Sequence, residues 1–305
     1  MIKRTLYFGN PAYLKTQNEQ MVIELPAVKG LRLMPEIKQA PIEDIGIVVL
    51  DHQQITISQA LIAKLLDNNV ALITCDQTHH PVGLMLNLHG HTLQSQKFKA
   101  QLETSIPLKK QLWQQTVSAK IANQAALLQA ERAENKILIR YAREVKSGDS
   151  ENHEAKAAAY YWKNLFPEYL AFTRQREGAP PNNLLNYGYA ILRALTARSL
   201  VMSGLLPTLG IFHRNQYNAY CLADDIMEPY RPFVDRVVCR IVSMNGRFLE
   251  LTPNMKKELL AIPAMDVVLD GERSPLMNAM QRTTASLAKC FEGATKKVLY
   301  PTLCD

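Results

Sequence analysis

The chain has 305 residues, a hydrophobic share of 47% and a formal charge of +7 at pH 7, which exclude a disordered chain and suit two folded domains better than one small core. The opening Met-Ile-Lys-Arg-Thr-Leu-Tyr lacks the apolar stretch of a signal peptide, and no run approaches the roughly 18 apolar residues needed to span a bilayer, so a cytoplasmic protein with no membrane partner is expected. Its 5 cysteines are odd in number and form no Cys-x-x-Cys pair, which argues against a disulfide framework and a cysteine-rich zinc site.

From the start of the chain, short β-branched or alternating runs predict strands at Thr5–Phe8, Ala12–Thr16, Met21–Leu25, Ile45–Leu50 and Val70–Thr74, separated by turn residues. Between the last two, Thr56 or Ser58 caps an apolar stripe, Ala60–Leu66, which ends at Asp-Asn-Asn; one helix is predicted there. Residues 1–90 therefore read as a small, mostly β domain. From about Thr92 the period changes. Leu112, Val117, Ile121, Ala125 and Leu128, then Ile137, Leu138, Tyr141 and Val145, recur at helical spacing. Gly148-Asp149-Ser150 breaks this pattern, Glu154 to Trp162 opens another helix, and a Pro/Asn loop at 178–183 precedes a helix from Leu184 to Ser203. The expected fold is α+β, with a β domain over 1–90 and a larger, all-helical catalytic domain over 91–305.

Charge follows the same division. Residues 1–90 hold 7 Lys/Arg against 8 Asp/Glu, leaving 28 against 20 for the rest. Basic residues including Lys97, Lys99, Lys109, Lys110, Lys120, Arg132, Lys136, Arg140, Arg143 and Lys146 accompany the first helices of the C-terminal part. They suit either a solvated face or one that meets a polyanion such as DNA.

Three places in that part can carry chemistry. Glu154 begins a run of small residues, Ala155–Ala159, that lets other backbone come close. His213 follows Gly204-Leu-Leu-Pro-Thr-Leu-Gly210, where glycine and proline make a loop. Asp225 and Glu228 are three apart and share a face if helical. Each also has a plain structural use: a carboxylate at a helix start, a hydrogen-bonded imidazole, a solvated acidic pair. Should they converge, two carboxylates and one imidazole suit Mg2+ or Mn2+, since hard oxygens dominate and no thiolate is offered. His79-His80 and His89-Gly-His91 have no cysteine partner at zinc-ligand spacing. No Walker loop, Gly-x-Gly-x-x-Gly, Gly-x-Ser-x-Gly or His-Glu-x-x-His occurs.

Gly148-Asp-Ser-Glu-Asn-His-Glu154-Ala-Lys-Ala-Ala-Ala-Tyr-Tyr161-Trp162 resembles the Glu-Gly-x-Ala-Ala-x-x-Tyr-Phe segment of the CRISPR-associated adaptation integrases, the metal-dependent endonuclease subunits that insert new spacers. Asn186-Tyr-Gly-Tyr-Ala-Ile-Leu192, Gly204-Leu-Leu-Pro-Thr-Leu-Gly-Ile-Phe-His213 and Leu222-Ala-Asp-Asp-Ile-Met-Glu-Pro-Tyr-Arg-Pro-Phe-Val-Asp235 look like that family's later motifs, in the same order and closest to the type II version. The resemblance implies that Glu154, His213 and Glu228 are catalytic residues and metal ligands, with Asp225 and Asn186 in support. The spacing to Tyr161 selects Glu154 over Glu151. Ala155 stands where glycine is common, and His153 where arginine is common.

The resemblance further implies antiviral defence through metal-dependent strand transfer on double-stranded DNA, both spacer precursor and repeat. It implies a homodimer formed through the β domain, and a larger integrase complex with a small ferredoxin-like CRISPR-associated adaptation protein. Arg174, Arg176 and Arg231 are candidate phosphate contacts, because guanidinium groups match phosphate oxygens. Two other readings stay open: a non-catalytic DNA-binding assembly subunit, and a general metal-dependent repair nuclease.

Overall fold

Strand alternation and one tight turn organise the beginning of the chain. A computed structural model describes residues 3–26, 36–167, 169, 172–175, 178–246 and 248–304, and the chain divides into two compact units, Met1–Gly90 and His91–Asp305. In the first, β1 (Arg4–Phe8) is followed by β2 (Ala12–Gln17), which buries Ala12 and Leu14 and exposes Tyr13 and Lys15. Asn18 and Glu19, both at positive φ, turn the chain into β3 (Gln20–Leu25), with Gln17 opposite Gln20. Then come β4 (Glu36–Pro41), β5 (Ile45–Leu50), β6 (Ile55–Ile57), α1 (Gln59–Asp67), β7 (Ala71–Cys75) and β8 (Pro81–Met85).

These strands form two four-stranded sheets, β4-β3-β2-β6 and β1-β5-β7-β8. In the second, β1, β5 and β7 run parallel and β8 antiparallel. Central β5, Ile-Gly-Ile-Val-Val-Leu, is buried at its first five residues, as a strand covered on both faces should be. Ser58 caps α1 by accepting from the Leu61 N–H at 3.3 Å, while Thr56 lies in β6. Leu61 and Leu65 of α1 join Leu14, Met21, Ile45 and Val48 in one core. Strands β4, β6 and β8 add to those read from the sequence. They are short or carry proline and polar residues, so their apolar signal is weak.

The second unit contains α2 (Gln94–Leu102), α3 (Ile106–Ala130), α4 (Lys136–Glu144), α5 (His153–Leu165), α6 (Asn182–Met202), α7 (Cys221–Met227), α8 (Arg231–Asn245), α9 (Pro253–Leu260), β9 (Asp266–Leu269), β10 (Glu272–Pro275) and α10 (Leu276–Phe291). It is not all-helical. β9 and β10 pair antiparallel around Asp270-Gly271, both at positive φ, the two-residue turn that Asp-Gly favours.

The long helices pack as their apolar spacing dictates. Leu112, Trp113, Val117, Ile121 and Leu128 of α3 are all buried, and burying side chains of this size stabilises by ~1.5–3 kcal/mol each. Helix α6 is buried along most of its length. It approaches α8 at Gly188, where an added Cβ would lie 2.5 Å from Val234 Cγ1. None of the described helices is long and apolar enough to cross a membrane.

Candidate active site

Glu154 is set at the start of α5 by a three-residue device. Gly148 takes φ +71° in a 3-10 turn, Ser147–Asp149, and Asn152 takes φ +55° as the cap residue. Between them the buried Asp149 accepts from the His153 N–H at 2.8 Å and the Glu154 N–H at 3.0 Å. These are two of the N–H groups that a helix leaves without an internal partner. The Glu154 carboxylate then lies in the first turn, where the helix dipole favours negative charge.

His213 is held by Asp225. The carboxylate, fully buried on α7, accepts from the N–H groups of Ile211 (2.7 Å), Phe212 (2.9 Å) and His213 (3.3 Å), and lies 2.5 Å from His213 Nδ1. An ionised carboxylate only accepts, so Nδ1 carries the proton and Nε2 the lone pair of the neutral ring. Gly210 permits this wrap: a Cβ there would stand 2.4 Å from the His213 carbonyl oxygen and 2.8 Å from Asp225 Oδ2. Trp113 of α3 stacks on Phe212 at 4.2 Å and meets the His213 ring edge-on at 5.6 Å. The hydrogen bond to Asp225 raises the imidazole pKa above its ordinary value despite partial burial, and the charges of Asp225, Glu228 and Glu154 add to that.

Glu228 follows α7 in a 3-10 turn, Glu228–Tyr230. Asn123 of α3 pins that turn by donating Nδ2 to the Pro229 carbonyl at 2.7 Å. The Glu228 side chain is buried, with Oε1 2.9 Å from Arg231 Nη2 and Oε2 2.6 Å from Lys120 Nζ. Burial alone would raise its pKa; the Arg231 and Lys120 charges reverse this and hold it below the ordinary carboxylate value. The same Lys120 ammonium donates to Glu154 Oε1 at 2.7 Å. Glu154 and Glu228, 74 positions apart in the chain, thus close on one cation from opposite sides. Burial opposes the ammonium charge, but Glu228 and then Glu154 raise its pKa.

Asp225 and Glu228 do not share a cation. One holds the His213 loop and the other faces Lys120 and Arg231. Among the described residues no three His, Cys, Asp or Glu side chains close into a metal cage. The position between Glu154 and Glu228 nonetheless suits a cation. Glu228 Oε2 is buried and has the Lys120 ammonium 2.6 Å away as its charge partner. The nearby imidazole offers a nitrogen oriented by a carboxylate, as metal-binding histidines commonly have.

Behind this cluster lies a second buried network. Asp235 accepts from Tyr161 OH at 2.8 Å and Tyr189 OH at 2.6 Å. Burial pushes its carboxyl pKa up to about 6, against these hydrogen bonds and the Arg231 and Arg174 charges. Arg231 and Arg174 both lie over the Tyr189 ring, at 4.9 and 5.3 Å. Arg174 also donates to Asn182 Oδ1 at 3.0 Å and to Asn186 Oδ1 at 2.7 Å, so Asn186 orients an arginine. Arg176 is outside the described residues.

Lys120 stood in the sequence as one of many basic residues on a solvated or phosphate-facing helix surface; it is in fact buried. Its signal was its place in the apolar stripe of α3, between Val117 and Ile121. Asp149, Asn123 and Asp235 were also missed, because their roles are contacts to distant backbone or hydroxyl groups.

Residues 6–247 match the family model described as CRISPR associated protein Cas1, and the chain belongs to that family. CRISPR-associated endonuclease Cas1 of Neisseria meningitidis serogroup C (strain 8013) is 36% identical over 290 residues, covering 94% of this chain and 91% of the relative. Among solved structures, a casposase bound to integration product superposes with a TM-score of 0.78 at 19% identity, over 98% of this chain and 92% of that one. A chain of a Cas6-RT-Cas1–Cas2 complex gives a TM-score of 0.73 at 20% identity, over 97% of this chain and 35% of that one. At these identities the structural likeness speaks for the fold. Glu154, His213 and Glu228 all lie within the matched residues.

Proposed function

We propose that the chain is a DNA endonuclease and integrase of CRISPR adaptation, which inserts new spacers into a repeat array by metal-dependent strand transfer, and that residues 91–305 form its catalytic domain. The carrying observation is the convergence of Glu154 and Glu228 on one cation position beside an imidazole oriented by Asp225. Membership of the Cas1 family and a relative named as an endonuclease support the activity, and the likeness to a casposase bound to integration product supports a fold suited to strand transfer.

Glu154, Glu228 and His213 would hold Mg2+ or Mn2+, which when bound supplies acidity to the attacking hydroxyl and neutralises charge on the phosphate. His213 can take or return a proton at Nε2, because Asp225 keeps the other nitrogen protonated and the ring in place. Arg231 and Arg174, stacked on Tyr189, add positive charge near Glu228 for a phosphodiester. A DNA 3′-hydroxyl attacking a phosphodiester of the repeat, with the 3′-oxygen of the cut strand leaving, gives integration; water attacking in its place gives cleavage. The basic excess of residues 91–305 serves the DNA backbone, so binding should weaken steeply with salt.

The relation to a Cas1–Cas2 complex supports a small, ferredoxin-like Cas2-type partner, with a homodimer formed through residues 1–90 completing the assembly. A non-catalytic subunit would gain little from gathering two carboxylates and two cations in a largely buried cluster, an arrangement that by itself adds little stability.

The test uses purified protein with its small partner, a short duplex and a supercoiled repeat-containing plasmid, in Mg2+ or Mn2+. Strand-transfer products that disappear in Glu154→Ala and His213→Ala are expected. Unchanged product in both variants would overturn the site. DNA binding with neither cleavage nor joining in the unaltered protein would favour the assembly subunit, and cleavage without joining the general repair nuclease.

A further inference from the structure

We infer that Lys120 is a tethered counter-cation that fills the position between Glu154 and Glu228, and that a divalent ion enters the site only by displacing its ammonium. This rests on the proposed metal-binding role of those two glutamates. The geometry leaves little alternative. Nζ is 2.7 Å from Glu154 Oε1 and 2.6 Å from Glu228 Oε2. Mg2+ sits ~2.1 Å from carboxylate oxygens. An ion bridging the same two oxygens would therefore compete with the ammonium for them.

Charge leads to the same conclusion. With Lys120 and Arg231 in place, the two carboxylates are already matched by two positive groups. Adding a doubly charged ion to that set puts excess positive charge into a cluster where Glu228 is 3% and Lys120 8% exposed, a costly burial. Moving the ammonium out restores the carboxylates to the incoming ion. Lysine suits this because its charge is compact and its four-carbon stem is flexible, whereas Arg231 is held against both Glu228 and Tyr189. The stem leaves α3 among buried neighbours, Val117, Ile121 and Gln124. A displaced head therefore stays near the site, where it adds a positive charge for phosphate. Lys120 is thus a positioning residue: it keeps two repelling carboxylates together in the metal-free protein and makes cation binding an exchange.

Mn2+ binding to the full-length chain, without DNA, is followed by electron paramagnetic resonance for the unaltered protein, Lys120→Met, Lys120→Gln and Glu154→Ala, each checked for folding by circular dichroism. Both lysine variants should bind Mn2+ at least about tenfold tighter, since the competing charge is gone. Their thermal midpoints should fall without metal and recover with it. Unchanged or weaker affinity in a folded lysine variant would overturn the inference. If Glu154→Ala leaves Mn2+ affinity untouched, the proposed metal site itself fails, and the inference with it. Should neither lysine variant fold, reductive methylation of Lys120 in the unaltered protein, read by mass spectrometry, answers the same question. Mg2+ should accelerate it relative to exposed Lys99, and equal rates would overturn displacement.

Discussion

Replacing Asp225 with asparagine keeps the shape of the side chain and removes half of its accepting capacity. Four donors converge on this buried carboxylate, the Ile211 and Phe212 N–H groups on Oδ2 and the His213 N–H and Nδ1–H on Oδ1. Asparagine offers one oxygen and one NH2, so in either orientation two donors face a group that cannot accept. Hydrogen bonds to a charged acceptor contribute ~1.5–3 kcal/mol each, which puts the loss of two at ~3–6 kcal/mol. Phe212 is 46% exposed. Water can therefore reach the loosened loop and reduce the loss to ~2–4 kcal/mol. For a unit of this size that lowers the melting midpoint by roughly 5–15 °C. His213 would lose the main cause of its raised pKa, so its NMR titration should move down. A loop displaced by ~1 Å should cost about 100-fold in strand cleavage. Calorimetry and a cleavage assay on the same preparation check both effects. A variant melting within about 1 °C of the unaltered protein and cutting within about threefold of its rate would refute the account of how His213 is held.

Two further outcomes follow from other contacts. The Asp235 carboxyl is raised from 3.8 to about 6 in the folded chain. Its contribution to stability is therefore full below 3.8 and is lost as pH rises through about 6. Between pH 4.5 and 7.5 the linked loss is about 2 kcal/mol. Urea unfolding should show that Asp235→Asn removes this slope, and an unchanged pH profile would exclude Asp235 as its source. At Gly210, alanine would press its Cβ against the His213 carbonyl and the Asp225 carboxylate. Gly210→Ala should reproduce the activity loss of Asp225→Asn, on the order of 100-fold, with DNA binding retained in a filter assay. Near-normal cleavage would mean that the loop can yield.

Local patterns were legible where one element decides its own state. Ser58 caps α1 as its spacing to the apolar stripe suggests, and the stripe Leu112, Val117, Ile121 and Leu128 becomes the buried face of α3. The break at Gly148-Asp149-Ser150 is a real break, yet its second role was not visible. Asp149 caps α5 through backbone groups four and five residues on, which no composition rule distinguishes from an ordinary turn aspartate. The Asp270-Gly271 hairpin carried a recognisable turn signal, obscured by the helical period around it.

Sequence alone determined the division into a β part and a helix-rich part, and the resemblance that singled out Glu154, His213 and Glu228, because periodicity and ordered motifs are properties of short segments. Only the tertiary structure decided what each acid does. Asp225 and Glu228, three residues apart, serve different partners, one a loop of backbone N–H groups and the other a lysine from α3. Helical spacing fixes which residues share a face of one helix. It does not fix which distant donor or cation the packing of other helices delivers to that face, and that delivery set one lysine of a basic helix between Glu154 and Glu228.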